Sequence, residues 1–220
     1  MTERIIGLVH TTRLVVDRVH DAITTAFPDF RPVHLMDETL LMDFAATGGV
    51  NARVRRKLLS MVRSAEDCGA SMVLVTCSSL GDTVYDVQKF VDIPVLKVDE
   101  PMAEEVVTRA RTVGILATAP SAAAGTAGLI KHAADESGKS VECKTFLCPE
   151  AGAHLAQGIK SFNEYLAGKA CEACPQVDAL VVAQLSMCGL EDFTDESSTH
   201  GKIFTSLPYA IRKMQAMLNS

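Results

Sequence analysis

The sequence predicts an α/β protein of two pseudo-symmetric domains, each a mainly parallel sheet flanked by helices. Three observations lead there. Short apolar runs alternate with amphipathic stretches at βαβ spacing, as in Arg4 to Val9, Val33 to Met36, Met72 to Val75 and Ile93 to Leu96. The second half of the chain repeats the first. Val113-Gly114-Ile115-Leu116-Ala117-Thr118 reprises Ile6-Gly7-Leu8-Val9-His10-Thr11, and Val177 to Ala183 reprises Gly69 to Val75. Both pairs are offset by about half the chain, the sign of an internal duplication. Each half also carries a cysteine among small residues past its third strand, in Thr76-Cys77-Ser78-Ser79 and in Ser186-Met187-Cys188-Gly189.

Arg4 to Val9 reads as a strand ending in His10-Thr11-Thr12, followed by an amphipathic helix to about Phe27. Pro28 and Pro32 bracket a turn, and Val33 to Met36 is a second strand ending in Asp37-Glu38-Thr39. After a Gly48-Gly49 loop, Asn51 caps a helix to about Cys68, which Gly69 ends. Its Arg53, Arg55, Arg56 and Lys57 form a solvated face, since no aromatics interleave with them. Asp99 caps a helix beginning at Pro101. Thr112 to Ile130 is uncharged over 19 positions, nominally enough to span a bilayer. Its Ala, Gly, Thr and Ser content, with Pro120 in the middle, makes it a strand, a loop and a helix start instead. Ile203 to Thr205 is a last strand, and a helix from Pro208 to about Leu218 packs back on the first half. The domains divide as 1–98 plus 206–220, and 99–205.

At 220 residues, 48% apolar and 22% charged, the composition is that of a globular protein. A net charge of −6 supplies no positive field for nucleic acid or an anionic membrane, so neither is an expected partner. An anionic substrate would be held by local donors. Seven cysteines, an odd number, and a start that runs directly into a strand predict a reduced, cytoplasmic protein.

Ligands of open parallel sheets bind outside the carboxyl ends of the strands. If the halves are related by a pseudo-two-fold axis, Cys77 and Cys188 line opposite walls of an interdomain cleft. A thiolate on one face would then remove a proton from a carbon beside a carboxylate, and a thiol on the other would return one. A stereocentre is inverted without any cofactor. Thr11, Thr12, Ser78, Ser79, Thr118 and Ser121 would supply donors for the carboxylate and for the developing enolate. The competing reading of Cys77 alone is a small buried residue at a strand end.

Ile-Gly-Leu-Val-His-Thr-Thr, Val-Thr-Cys-Ser-Ser, Val-Gly-Ile-Leu-Ala-Thr and Ser-Met-Cys-Gly together resemble the aspartate/glutamate/hydantoin racemase superfamily over essentially the whole chain. The resemblance implies two similar α/β domains, chemistry without a cofactor in the cleft between them, and a homodimer or higher homo-oligomer. It puts Cys77 and Cys188 on the catalytic cysteines. Ser78, Ser79, Thr118 and the Thr11-Thr12 loop fall on substrate-binding positions. The chain departs from glutamate racemases at His10-Thr11, where they carry Asp-Ser, and at Gly189-Leu190, where they carry Thr-His. It also differs from hydantoin racemases after the first cysteine. The implied activity is racemisation or epimerisation beside the carboxylate of a small acidic substrate. The alternatives are cis–trans isomerisation of a maleate-like diacid, with a nucleophilic cysteine, and a small-acid-binding protein on the same fold. A one-cysteine decarboxylase also belongs to this superfamily, and retention of both cysteines weighs against it.

His10 would either orient substrate or tune a thiolate, or else be a hydrogen-bonded structural residue. Asp37 and Glu38 either contact an amino group or cap the next helix. Gly189 joins the candidate substrate-binding residues beside Cys188, while Glu191 and Asp192 point to solvent. Cys171 and Cys174, with Cys143 and Cys148 upstream, have the spacing of a zinc or redox pair, but no second Cys-X-X-Cys lies at ribbon spacing. They are read as surface or packing cysteines, Cys68 as packing, and no metal is expected. His200 has nothing nearby to support a role, and Gly125 and Gly128 form no phosphate loop.

Overall fold

Strands of four to seven apolar residues need cover on both faces, and helices that recur between them supply it. The computed structural model describes residues 4–219 apart from 48, 82 and 200. In chain order it contains β1 (Arg4–His10), α1 (Val16–Ala26), β2 (Phe30–Met36), α2 (Thr39–Thr47), α3 (Ala52–Asp67), β3 (Ala70–Val75), α4 (Thr83–Gln88) and β4 (Val95–Lys97). Then come α5 (Glu100–Arg109), β5 (Thr112–Ala117), α6 (Pro120–Glu136), β6 (Glu142–Leu147), α7 (Ala151–Gln157), α8 (Ile159–Ala173), β7 (Ala179–Val182), α9 (Glu196–Thr199), β8 (Ile203–Phe204) and α10 (Ser206–Leu218). The chain divides into two units, Met1–Val98 with Ala210–Ser220, and Asp99–Tyr209.

Each unit holds one four-stranded sheet, in the orders β2-β1-β3-β4 and β6-β5-β7-β8. Every pairing is parallel. The α/β class and the doubled architecture are therefore as the sequence predicts. In the first unit α3 turns Val54, Leu58, Val62 and Ala65 inward, one stripe at helical spacing, onto Val9, Val73 and Val75. In the second, one face of the sheet packs Val113, Ile115 and Val181 on α5 and α6, and the other packs Leu116, Leu180 and Val182 on α8.

Several elements differ from expectation. The strand β2 starts at Phe30 and includes Pro32, which an edge strand tolerates because its outer side makes no ladder bonds. Strand β6 gives no apolar run in the sequence, because as an edge strand it exposes Glu142, Lys144 and Thr145. Asp99 takes the capping position of α5 without a side-chain capping bond, and the helix begins at Glu100. Asn51 does cap α3, accepting from the Arg53 and Val54 N–H groups at 2.8 and 3.0 Å. Three members of the basic run on α3 pair with acids of their own unit: Arg53 and Lys57 meet Asp43 at 3.3 and 2.5 Å, and Arg55 meets Asp86 at 3.3 Å. Among the described residues no helix is long and apolar enough to cross a membrane. Gly48 and His200 lie outside the described residues.

The repeat also needs one correction of register. Gly7 pairs with Val73, and the matching Gly114 pairs with Leu180. Val73 therefore corresponds to Leu180, not to Val181, so the sequence match of the third strands is one residue out of step. In a strand that slip exchanges the two faces.

Gly7 and Gly114 occupy the same place in the two units but differ in what surrounds them. A Cβ on Gly7 would lie 2.8 Å from the Ala65 Cβ and 3.0 Å from Val73 Cγ2, so α3 itself would have to move. On Gly114 the obstacles are side-chain tips, Leu180 Cδ1, Phe146 Cε2 and Val177 Cγ2 at 2.8, 3.0 and 3.2 Å, with no helix atom among them. Gly7→Ala is expected to destabilise by roughly 2–3 kcal/mol, and Gly114→Ala by roughly 1 kcal/mol, read from urea unfolding midpoints. Equal costs would contradict this account of the helix–sheet approach.

Candidate functional site

Strand order locates the site. Winding reverses between β1 and β3 in the first unit and between β5 and β7 in the second, and at such a switch point the departing loops leave room for a ligand. Residues following those four strand ends are the candidates, and each unit is described on its own.

In the first unit β1 delivers His10, Thr11 and Thr12, and β3 delivers Thr76, Cys77, Ser78 and Ser79. Cys77 sits immediately before a short 3₁₀ turn, Ser78–Leu80. It is 7% exposed and belongs to the apolar cluster of Val75, Leu80 and Val84. Thr11 is buried, while Ser78, Ser79 and Thr12 are half-buried. Thr12 accepts a 3.4 Å bond from the Leu14 N–H and so caps the turn that leads into α1. Asp37 accepts from the Thr39 N–H at 2.8 Å, which is the capping alternative. Glu38 is exposed and lies 3.8 Å from Arg13.

His10 is fully buried, and both of its ring nitrogens are engaged within the unit. Nδ1 lies 2.9 Å from the Thr76 Oγ1, and Nε2 lies 2.9 Å from His34 Nδ1. A substrate contact from this ring would have to break one of these bonds. Burial, and then the neighbouring His34, push its pKa down from 6.5 to about 4.

In the second unit Cys188 ends the corresponding 3₁₀ turn, Leu185–Met187, and is 5% exposed. With the register corrected, Ser78–Leu80 matches Leu185–Met187 residue for residue. The counterpart of Cys77 is therefore Gln184, and the counterpart of Cys188 is Gly81. The two cysteines stand at opposite ends of equivalent turns, which corrects the expectation of equivalent strand-loop units. Thr118 donates both its N–H and its hydroxyl to the Gln184 Oε1, each at 2.9 Å. Gln184 thus ties the ends of β5 and β7 as Thr76 and His10 tie those of β3 and β1. Ser121 is exposed near the start of α6. Gly189 takes a left-handed φ of 106°, and its N–H donates to the Glu191 carboxylate at 2.7 Å. Glu191 therefore folds back onto the Cys188 loop instead of pointing to solvent, whereas Asp192 is exposed.

The other cysteines offer no comparable placement. Cys148 and Cys174 are buried in one apolar cluster, and burial raises both thiols, Cys148 to about 11. Cys171 is half-buried on α8 and Cys68 is exposed. Thr76, His34 and Gln184 carry contacts at the strand ends that residue spacing alone did not reveal. Their signal lay in the topology. His34 pairs in register with Leu8, so it shares a sheet face with His10, two residues further along β1.

A model of the Asp/Glu/Hydantoin racemase family matches residues 6–145, well over half of the chain. Solved structures share the fold across nearly all of it. An aspartate racemase of Picrophilus torridus is 13% identical, with 97% of this chain and 94% of that chain covered and a TM-score of 0.71. A glutamate racemase isoform of Bacillus anthracis is 16% identical, with 100% and 83% covered and a TM-score of 0.73. An allantoin racemase of Klebsiella pneumoniae is 15% identical, with 98% and 88% covered and a TM-score of 0.68. No curated protein matches the chain in sequence.

The burial of His10 has a consequence for stability. A histidine whose folded pKa lies below its unfolded value binds protons more readily in the unfolded chain. Its contribution is therefore complete above pH 6.5 and is lost as pH falls from 6.5 to about 4. Over that window unfolding should become easier by about 3 kcal/mol from this residue alone. His10→Asn, which keeps a donor for Thr76, is expected to flatten that part of the pH profile in denaturant titrations. An unchanged slope would show that His10 is not held neutral.

Proposed function

Because the chain belongs to the Asp/Glu/hydantoin racemase family, we propose that it is a cofactor-independent racemase or epimerase acting beside the carboxylate of a small acidic substrate. The observation that carries this is Cys77, buried to 7% exposure at the β1/β3 switch point and followed at once by the hydroxyls of Ser78 and Ser79. As a thiolate it would take the proton from the substrate's α-carbon, leaving an enolate-like carboxylate. As a thiol it would return one. Thr11, Ser78 and Ser79 would donate to the carboxylate oxygens, where charge builds up in the transition state, and Thr118 would join them on releasing Gln184. In the two-thiol form of this reading Cys188 is the partner that acts on the opposite face. The two groups then exchange acid and base roles with the direction of reaction. A cytoplasmic location and a homodimer or higher homo-oligomer belong to the same reading.

A second form is favoured by the register. Gln184, not a cysteine, stands where Cys77 stands in the other unit. An amide cannot serve as a general acid or base, so a site of Cys77 and Gln184 would move protons on one face only. That suits a decarboxylation or a one-sided exchange rather than inversion.

The test is turnover of both enantiomers of aspartate, glutamate, 2-hydroxy acids and hydantoins, with maleate alongside, followed by chiral chromatography. Wild-type protein should invert at least one of these substrates. Cys77→Ala should lower kcat by about 10²–10⁴-fold. An equal loss in Cys188→Ala selects the two-thiol form, whereas exchange of the α-proton with solvent without inversion, retained in Cys188→Ala, selects the one-thiol form. Maleate converted to fumarate without inversion of any acid would instead assign a cis–trans isomerase. Substrate binding without turnover would assign a binding protein.

A further inference from the structure

Three histidines of the first unit form a continuous hydrogen-bonded line. His20 Nδ1, on α1, lies 3.0 Å from His34 Nε2, on β2. His34 Nδ1 lies 2.9 Å from His10 Nε2, at the end of β1. His10 Nδ1 lies 2.9 Å from the Thr76 Oγ1, one residue before Cys77. Successive rings are stacked, with centroids 5.1 and 5.2 Å apart. The line begins at an exposed residue, passes through a half-buried one and ends at two buried ones.

Its polarity follows from the buried end. The Thr76 hydroxyl donates to the Val9 carbonyl at 3.0 Å, so its oxygen is left to accept, and His10 must donate from Nδ1. A neutral His10 then accepts at Nε2, which makes His34 the donor from Nδ1. A neutral His34 in turn accepts at Nε2, which makes His20 the donor from Nδ1. All three rings are therefore held in the Nδ1–H tautomer. A further consequence concerns charge. A proton added to His20 goes to Nε2 and breaks no link. A proton added to His34 leaves its Nδ1–H donating to His10 and turns its link to His20 around, and one added to His10 turns both outer links around, while His10 Nδ1 goes on donating to Thr76.

We infer that His20 and His34 are positioning residues: with the His10 tautomer set by Thr76, they complete the line that holds the His10 ring and so fix the Thr76-Cys77 end of β3, in the arrangement in which the inner two rings are neutral. The groups around the line are consistent with that neutrality. Burial is the main influence against a charge on either inner ring, assisted by His20 at His34 and by His34 at His10. Asp17 of α1 acts in the opposite sense on His34. The inference concerns how Cys77 is presented, and its test needs no substrate. Failure of the racemase reading would therefore leave it standing.

The test has two arms. Long-range nitrogen–proton NMR of the full chain at pH 8 should show His10, His34 and His20 all protonated at Nδ1. Peptide-resolved alkylation with iodoacetamide should show Cys77 reacting about three- to tenfold faster in His34→Ala than in wild type, as one hydrogen bond's worth of restraint is lost. Cys188 serves as the internal reference. His20→Ala, changed at the exposed end, should loosen the His34 ring and give a smaller increase. An Nε2–H tautomer at His10 overturns the inference. So does a Cys77 alkylation rate that is the same in wild type and both variants.

Discussion

The parallel pairing of the first and third strands in each unit is the constraint on which the rest depends. It brings two chain segments more than sixty residues apart in sequence side by side at the centre of a sheet, with their last peptides joined. Thr76 N–H donates to the Val9 carbonyl and Ala183 N–H to that of Leu116, each at 3.0 Å. Beyond those two bonds the strands diverge, and whatever follows them is fixed in height and direction. Cys77 owes its position to this pairing, as do Thr11, Thr118 and Gln184. Helix α3 supports it from below by lying so close to β1 that only a glycine fits at position 7.

The two units use the same opening differently. In the first, the strand ends are joined through His10 and Thr76, and the thiol follows directly. In the second, Thr118 gives both of its donors to Gln184, and the thiol comes four residues later, beyond the turn. Duplication thus kept the backbone and its register while the side chains at the joint diverged. The imidazole of His10 and the amide of Gln184 thus do the same joining work in the two units, and in the first unit the buried Lys97 ends β4 in register with Val75.

Much of this could be read from the residues, and the exceptions have physical causes. Central strands such as Met72 to Val75 are covered on both faces and appear as apolar runs, and Asn51 and Gly69 mark the ends of α3 by their own chemistry. Edge strands do not announce themselves: β6 is mostly polar and β2 contains a proline. The repeat is visible, but the apolar runs Met72 to Val75 and Leu180 to Ala183 look alike one residue out of step, and only the ladder bonds settle their register. That slip hid the match between Cys77 and Gln184. The histidine line was hidden for a different reason. His10, His20 and His34 follow no local spacing and meet only because β2 pairs beside β1 and α1 covers the same face.

The most direct measurement is the fate of solvent deuterium during the first few per cent of reaction, starting from each enantiomer of the best substrate in heavy water. If Cys77 and a second acid work on opposite faces, the inverted product carries deuterium at the α-carbon while recovered starting material carries none, in both directions. Deuterium entering the recovered starting material without inversion would contradict that claim and place all proton transfer on the face of Cys77.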